Sequence, residues 1–99
     1  MPDLRQLRAL QAVAQTGSFS RAADALDYTQ PAISKTIAAL ERELGAVLVE
    51  RECRPVRLTD AGAALARHAD AVFAGLASAR AEIDAITRVD GGTLAVGTF

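Results

Sequence analysis

The sequence predicts a mainly α-helical fold that contains one short two-stranded β-ribbon. Of the 99 residues, 51% are hydrophobic, most of them alanine or leucine, and aromatic residues make up only 4%. This composition favours helices packed on helices over stacked sheets. Apolar residues recur at helical spacing through most of the chain, and β-prone residues form two short runs near its middle. The length suits one compact domain, or a small domain with an extension.

Two helices are predicted at the start of the chain. The first runs from about residue 4 to 15 and is followed by Gly17, which suits the left-handed conformation at a helix C-terminus. Ser18 then caps a short second helix that extends to residue 26. The residues at helical spacing, which we expect to be buried, are Leu4, Leu7, Leu10, Val13 and Ala14 in the first helix and Phe19, Ala22, Ala23 and Leu26 in the second.

The third helix is predicted from about residue 30 to 44, after a tight connection at 27–29. Thr29 or Gln30 is its N-cap, and Gly45 ends it. Pro31 is tolerated in the first turn because its missing N–H would have no partner there. The face expected to be buried carries Ile33, Ile37, Leu40 and Leu44, and the opposite face of the first turns carries Thr29, Gln30, Ser34 and Lys35.

A β-ribbon and a long helix follow. Residues 47–50 and 56–58 are β-prone and flank a polar, proline-bearing tip. Because a two-stranded ribbon is marginal alone, we expect it to lean on the helices. Thr59 and Asp60 open a helix predicted from about 60 to 88, and "TLAVGTF" after it reads as one more strand. The apolar residues of this helix follow alternating steps of four and three, an a/d heptad seam, at Leu65, Ala69, Val72, Leu76, Ala79, Ile83 and Ile86.

Three helices followed by a β-ribbon form a winged helix-turn-helix, with residues 18–26, 27–29 and 30–44 as the helix-turn-helix. In this motif the first turns of the last helix enter the major groove of DNA. Gln30 can read an adenine edge, Lys35 a guanine edge, and Ser34 a base or a phosphate. The free N–H groups at the helix start also favour a phosphate.

The chain also resembles the LysR-type transcriptional regulators along all of its 99 residues. The segments "GSFSRAA", "QPAISKTIAALERELG" and "VRLTDAG" stand in an order and at separations similar to that family's N-terminal signature. The resemblance implies that residues 1–59 bind operator DNA and that a linker helix over 60–90 dimerises them in antiparallel fashion. It also implies that 91–99 begin a missing C-terminal domain that senses a small-molecule effector, so we expect a truncated regulator.

The motif and the resemblance together give candidate site residues. The wing, residues 51–57, is expected to grip the DNA backbone or minor groove chiefly through Arg54. Arg51 and Arg57 either join it or pair with Glu50 or Glu52. The residues predicted to contact DNA are Ser18, Thr29, Gln30, Pro31, Ser34, Lys35, Arg51 and Arg54. We expect the seven seam residues to form a homodimer, because the chain offers too little other protein to cover them.

Other classes of function find little support. The net charge of −1 identifies no partner. A single cysteine and a single histidine, one in the wing and one in the linker helix, give no disulfide, metal site or catalytic pair, so we predict no enzyme and no cofactor in this chain. Cys53 is expected to be a small wing residue rather than a redox sensor. With no membrane-spanning run and no secretory signal, a cytoplasmic protein is expected.

The alternative from another class is a winged helix that serves only protein interaction and dimerisation. Its third helix would carry an apolar or acidic outer face, and the outer face here is neither. A salt-dependent shift on bulk DNA distinguishes the two.

Overall fold

The computed structural model describes residues 1–89, which form a three-helix bundle with a two-stranded wing and a long C-terminal helix. The elements are α1 (Leu4–Thr16), α2 (Phe19–Leu26), α3 (Gln30–Leu44), β1 (Val49–Glu50), β2 (Arg57–Leu58) and α4 (Asp60–Val89). The two strands pair in antiparallel register, with Val49 opposite Leu58. The predicted winged helix-turn-helix with a long helix after it is confirmed. The strand predicted over "TLAVGTF" lies outside the described residues.

The boundaries of the helices follow from local chemistry. Ser18 and Thr29 each accept a hydrogen bond from the backbone N–H three residues later, which satisfies a donor that the helix start leaves free. Helices α1 and α3 end at Gly17 and Gly45, as predicted, and both glycines adopt the left-handed conformation. Helix α2 ends instead at Asp27, with a φ of +61°. Aspartate is one of the few side chains that adopt this conformation readily, so the turn into α3 is tight.

The core lies where the three helices meet the base of the wing. Its largest fully buried side chains are Leu10, Val13, Ile33, Ile37, Leu40, Leu48 and Val49. Three residues predicted to be buried are exposed. Leu4 (48% exposed) and Leu44 (42%) lie in the first turn of α1 and the last turn of α3, at the edge of the core. Ala14 is exposed because the buried face of α1 turns towards Ala9 and Ala12.

The wing leans on the helices as predicted, but its strands are only two residues long. The residues next to each strand form hydrogen bonds elsewhere. The Leu48 N–H donates to the Glu41 carboxylate (2.8 Å), and the Val56 N–H donates to the Gly17 carbonyl (2.9 Å). These bonds attach the wing to the ends of α1 and α3, so the strands stop where the bundle begins.

Helix α4 packs on α1 over its first half only. Gln11 Nε2 donates to Asp70 Oδ1 at 2.7 Å, and the Arg8 guanidinium lies over the Phe73 ring, 4.0 Å from its centroid. Ala69 is fully buried and Leu65 packs against the core. The expectation that too little protein surrounds α4 to cover its seam is therefore wrong for these two residues, which α1 and the core cover within the same chain.

The second half of α4 is not covered in this way. The seam residues Val72, Leu76, Ala79, Ile83 and Ile86 are exposed. Within residues 1–89, no helix has the length and apolar character that crossing a bilayer requires.

Candidate nucleic-acid interface

The starts of α2 and α3 and the tip of the wing surround one shallow depression, here called the polar groove. It is lined by Gly17, Ser18, Phe19, Ser20, Gln30, Ser34, Arg51, Arg54 and Val56. Its volume is about 240 Å³, below the roughly 300–1,000 Å³ of most small-molecule pockets. Hydroxyl, amide and guanidinium groups line it, and no carboxylate does. The groove therefore suits a negatively charged surface of a larger ligand.

Most of the DNA contacts predicted from the sequence lie on this face. The residues that line the polar groove are Ser18, Gln30, Ser34, Arg51 and Arg54. The other three, Thr29, Pro31 and Lys35, do not line the groove but are exposed in or beside the first turns of α3. The eight candidates thus come from α2, α3 and the wing, and the fold brings them to neighbouring positions.

Ser18 and Thr29 serve as helix caps, which leaves their hydroxyl hydrogens for other partners. Ser18 Oγ accepts from the Arg21 N–H at 3.1 Å, and Thr29 Oγ1 accepts from the Ala32 N–H at 3.2 Å. A hydroxyl that accepts one hydrogen bond can still donate another. Both caps are therefore compatible with donation to a phosphate.

Ser20 is a groove residue that the sequence prediction missed. Its hydroxyl donates to Gln30 Oε1 across 3.4 Å, which links the start of α2 to the start of α3. The predicted cap at Ser18 places Ser20 in the first turn of α2, but the contact with Gln30 could not be read from the sequence, because it depends on how α2 packs against α3. The contact orients the amide that we expect to read a base.

Arg51 pairs with neither of the two acidic residues considered from the sequence. Its Nη2 lies 3.1 Å from Oε1 of Glu41, on α3, and its guanidinium lies over the Phe19 ring, 5.6 Å from the centroid. Arg57 does pair with Glu50, at 3.8 Å. The partner of Arg51 was missed because Glu41 lies ten positions earlier in the chain, on a different element.

Glu41 is held in its ionised form. Burial on its own would raise the pKa of this carboxyl, but the backbone hydrogen bond from Leu48 and the Arg51 guanidinium together outweigh burial. The pKa of Glu41 is therefore lowered from its ordinary value of 4.5. The ion pair is present at neutral pH.

Arg54 lies at the wing tip with one end of its guanidinium fixed. Nη1 donates to the backbone carbonyl of Arg51 and to that of Cys53, the latter at 2.9 Å. Among the contacts of the described residues, these bonds engage one nitrogen of a group that carries five N–H donors. Arg54 is therefore oriented by the wing backbone and keeps donors for a ligand.

Cys53 lies beside Arg54 and contacts two charged neighbours. Arg57 Nη2 donates to Cys53 Sγ across 3.6 Å, and the thiol lies 3.7 Å from Glu50 Oε1. In the stretch from Met1 to Val89, no group of three or more His, Cys, Asp and Glu side chains is placed to hold a metal ion.

Comparison with protein-family models gives one match that covers most of the winged domain. Residues 4–63 match the family described as "Bacterial regulatory helix-turn-helix protein, lysR family". A relative from Azotobacter vinelandii, an uncharacterized HTH-type transcriptional regulator in the ibpB-leuC intergenic region, is 45% identical over 97% of this chain and 67% of its own length. The SDS degradation transcriptional activation protein of a Pseudomonas species is 40% identical over 98% of this chain but only 32% of its own.

Solved structures give the same likeness. The DNA-binding domain of BenM, in complex with its catB site 1 DNA, superposes with a TM-score of 0.81 at 36% identity, over 86% of this chain and 96% of that one. The full-length regulator LysG of Corynebacterium glutamicum has a TM-score of 0.81 at 32% identity, over 86% of this chain and 29% of its own. This chain therefore spans less than a third of a full-length relative of that kind.

Proposed function

The chain belongs to the lysR family of bacterial regulatory helix-turn-helix proteins and carries that family's DNA-binding domain, and from this membership we propose the way in which it recognises DNA. Helix α3 enters the major groove of a duplex operator, and the wing contacts the backbone or the minor groove beside it. The observation that carries this proposal is the polar groove, in which the starts of α2 and α3 meet a wing arginine without any carboxylate. The solved complex of the similar BenM domain with DNA supports it.

The proposed contacts divide into two kinds. Gln30, Ser34 and Lys35 reach base edges and supply sequence preference, because amide, hydroxyl and ammonium groups match the donors and acceptors of the major groove. Four of the five other candidates position the domain on phosphates. These are Ser18 and Thr29 through their hydroxyls and the adjoining helix N-termini, Pro31 through the first turn of α3, and Arg54 through its guanidinium.

We further propose that the protein acts as a homodimer through α4. The exposed part of the seam from Val72 to Ile86 is apolar and unpaired within the described chain, and a second copy is the simplest partner to cover it. Antiparallel pairing of two α4 helices would place two α3 helices on one side of the duplex. Such a dimer reads an interrupted palindrome.

The regulatory role extends beyond this chain. Because full-length relatives are about three times longer, we propose that a further domain binds a small-molecule effector and that this chain holds no cofactor. One similar regulator, LysG, has been solved with bound effector Arg. We propose no catalytic role for the protein. We propose that it is located in the cytoplasm, where the operator DNA lies.

Two experiments test the proposed function. Duplexes that bind the protein are selected from a random pool, and binding to the selected site is then measured at several salt concentrations. We expect an interrupted palindrome, and a log–log salt slope that steepens by about −0.9 for each phosphate contacted. Equal binding to all duplexes would contradict sequence-specific reading. Lack of any salt-dependent binding would instead favour the protein-interaction module.

A further inference from the structure

Glu41 joins α3 to the base of the wing. Its side chain is only 16% exposed, and its Oε2 accepts the backbone N–H groups of Leu48 at 2.8 Å and of Val49 at 3.4 Å. The same oxygen accepts from Arg51 Nη1 at 3.3 Å, while Oε1 lies 3.1 Å from Arg51 Nη2. One carboxylate thus fixes both the backbone that enters β1 and the arginine that follows it.

Arg51 extends this link to two other sides of the polar groove. Its guanidinium lies over the Phe19 ring, which belongs to the first turn of α2. Its backbone carbonyl accepts a hydrogen bond from Nη1 of Arg54, at the wing tip. A two-point arginine–carboxylate contact fixes orientation as well as distance. A single ion pair therefore connects α2, α3 and the wing.

The charges argue against Arg51 as a phosphate ligand. Arg51 and Glu41 together are neutral, so a phosphate that approached Arg51 would also meet the Glu41 carboxylate. Arg54 and Lys35, by contrast, form no ion pair with a carboxylate in the described part of the chain. The guanidinium of Arg51 is placed to organise the groove rather than to neutralise DNA.

We infer that Arg51, held by Glu41, is a positioning residue that sets the wing and α2 against the recognition helix and does not itself neutralise a phosphate. The inference rests on the proposed DNA-binding function and deepens it. It replaces the direct DNA contact predicted for Arg51 from the sequence. Glu41, which the sequence prediction did not assign to the site, becomes part of it.

The sign of the effect of Glu41→Gln separates the two roles. The substitution removes a negative charge and frees Arg51, so DNA binding should tighten if Arg51 is a phosphate ligand that Glu41 restrains. A positioning role gives the opposite result, and we expect affinity for the selected duplex to fall about tenfold. Glu52→Gln is the matched control, since it makes the same charge change on an exposed wing residue. The affinity of Glu52→Gln for the selected duplex should equal or exceed that of the wild type.

The double variant Glu41→Gln, Arg51→Met keeps the net charge of the wild type. We expect it to bind about tenfold more weakly than wild type, but with the wild-type salt slope. Arg54→Met should make the slope shallower by about 0.9, as the loss of one phosphate contact requires. A similar loss of slope in the double variant, or tighter binding by Glu41→Gln, would overturn the inference.

Amide hydrogen exchange without DNA tests the positioning link independently. The Leu48 and Val49 N–H groups should exchange faster in Glu41→Gln and in Arg51→Lys, while circular dichroism shows intact helices. Unchanged exchange would contradict the link, whatever the DNA data show. If the wild type had no sequence preference, the proposed function would fail, and faster exchange in the variants would still support the link between α3 and the wing.

Discussion

At the scale of single residues, Glu41 gives the fold a defined response to acid. Because its folded pKa is lowered, its contribution to stability is complete above its unfolded value of about 4.5 and declines as pH falls towards the folded value. We expect Glu41→Gln to lower the free energy of unfolding by about 1 kcal/mol at pH 7, since Arg51 is partly exposed and solvent weakens the pair. Urea unfolding at pH 7, 5, 4 and 3 should show the difference from wild type shrinking below pH 4.5. A difference that is constant with pH would contradict the assignment.

Two residues of the polar groove should differ in what they contribute to recognition. Gln30→Ala removes a base-reading amide and should relax preference at one base pair by about 1–3 kcal/mol. Arg54→Ala removes a backbone contact and should weaken binding to most sequences alike. Binding of both variants to a library of operator variants measures the two effects. The reverse pattern, with Arg54 controlling sequence preference, would require these roles to be exchanged.

At the scale of elements, the approach of α4 to the backbone just before β1 depends on Gly62. A Cβ added there would lie 2.0 Å from the Leu48 carbonyl oxygen, and backbone would have to move to make room. We expect Gly62→Ala to destabilise the fold by about 1–3 kcal/mol. Gly75→Ala, in the same helix with nothing within 4 Å of the added Cβ, should stabilise it by about 0.5–1 kcal/mol. Thermal unfolding of the two variants at equal concentration should give shifts of opposite sign, and a destabilising Gly75→Ala would undermine the comparison.

The helices were predictable from the sequence because their signals are local. Ser18, Thr29, Gly17 and Gly45 mark boundaries within one turn of the residues they affect, and apolar spacing identifies the buried face. The pair Glu41–Arg51 was not predictable in this way, because charge identity in a sequence does not reveal which distant carboxylate a folded ribbon meets. The starts of α2 and α3 could be assigned to a DNA-binding face from the motif, whereas the contact from Ser20 to Gln30 needs the angle between two helices.

At the scale of the whole molecule, the heptad pattern of α4 turns out to serve two purposes. Spacing alone shows that Leu65 and Ile83 belong to one stripe, but it does not show what covers each of them. The structure buries Ala69 and half-buries Leu65 against the same chain, while the later seam residues stay exposed. A charge introduced early in the seam should therefore unfold the domain, and one introduced late should affect association instead.

Leu76→Asp tests this division of α4. Leu76 is 50% exposed in the single chain, so the variant should stay folded, with unchanged circular dichroism. In a dimer, however, the carboxylate would be buried in the seam. Val72, Leu76, Ile83 and Ile86 are 41–58% exposed, so covering each of them offers about half of the roughly 1.5–3 kcal/mol of a complete burial. Only part of that survives the entropic cost of association. We expect Leu76→Asp to be monomeric in analytical ultracentrifugation and to bind a half-site weakly.

Ser78→Asp is the control for Leu76→Asp, because Ser78 is an exposed α4 residue outside the seam. This variant should remain dimeric and bind the full palindrome as the wild type does. The dimer assignment would be wrong if the wild type sedimented as a monomer at high micromolar concentration, or if Leu76→Asp stayed dimeric. Each half-site contact is modest, so loss of the dimer should reduce affinity for the palindrome far more than loss of any one base contact. This difference in affinity would connect the α4 seam to operator recognition.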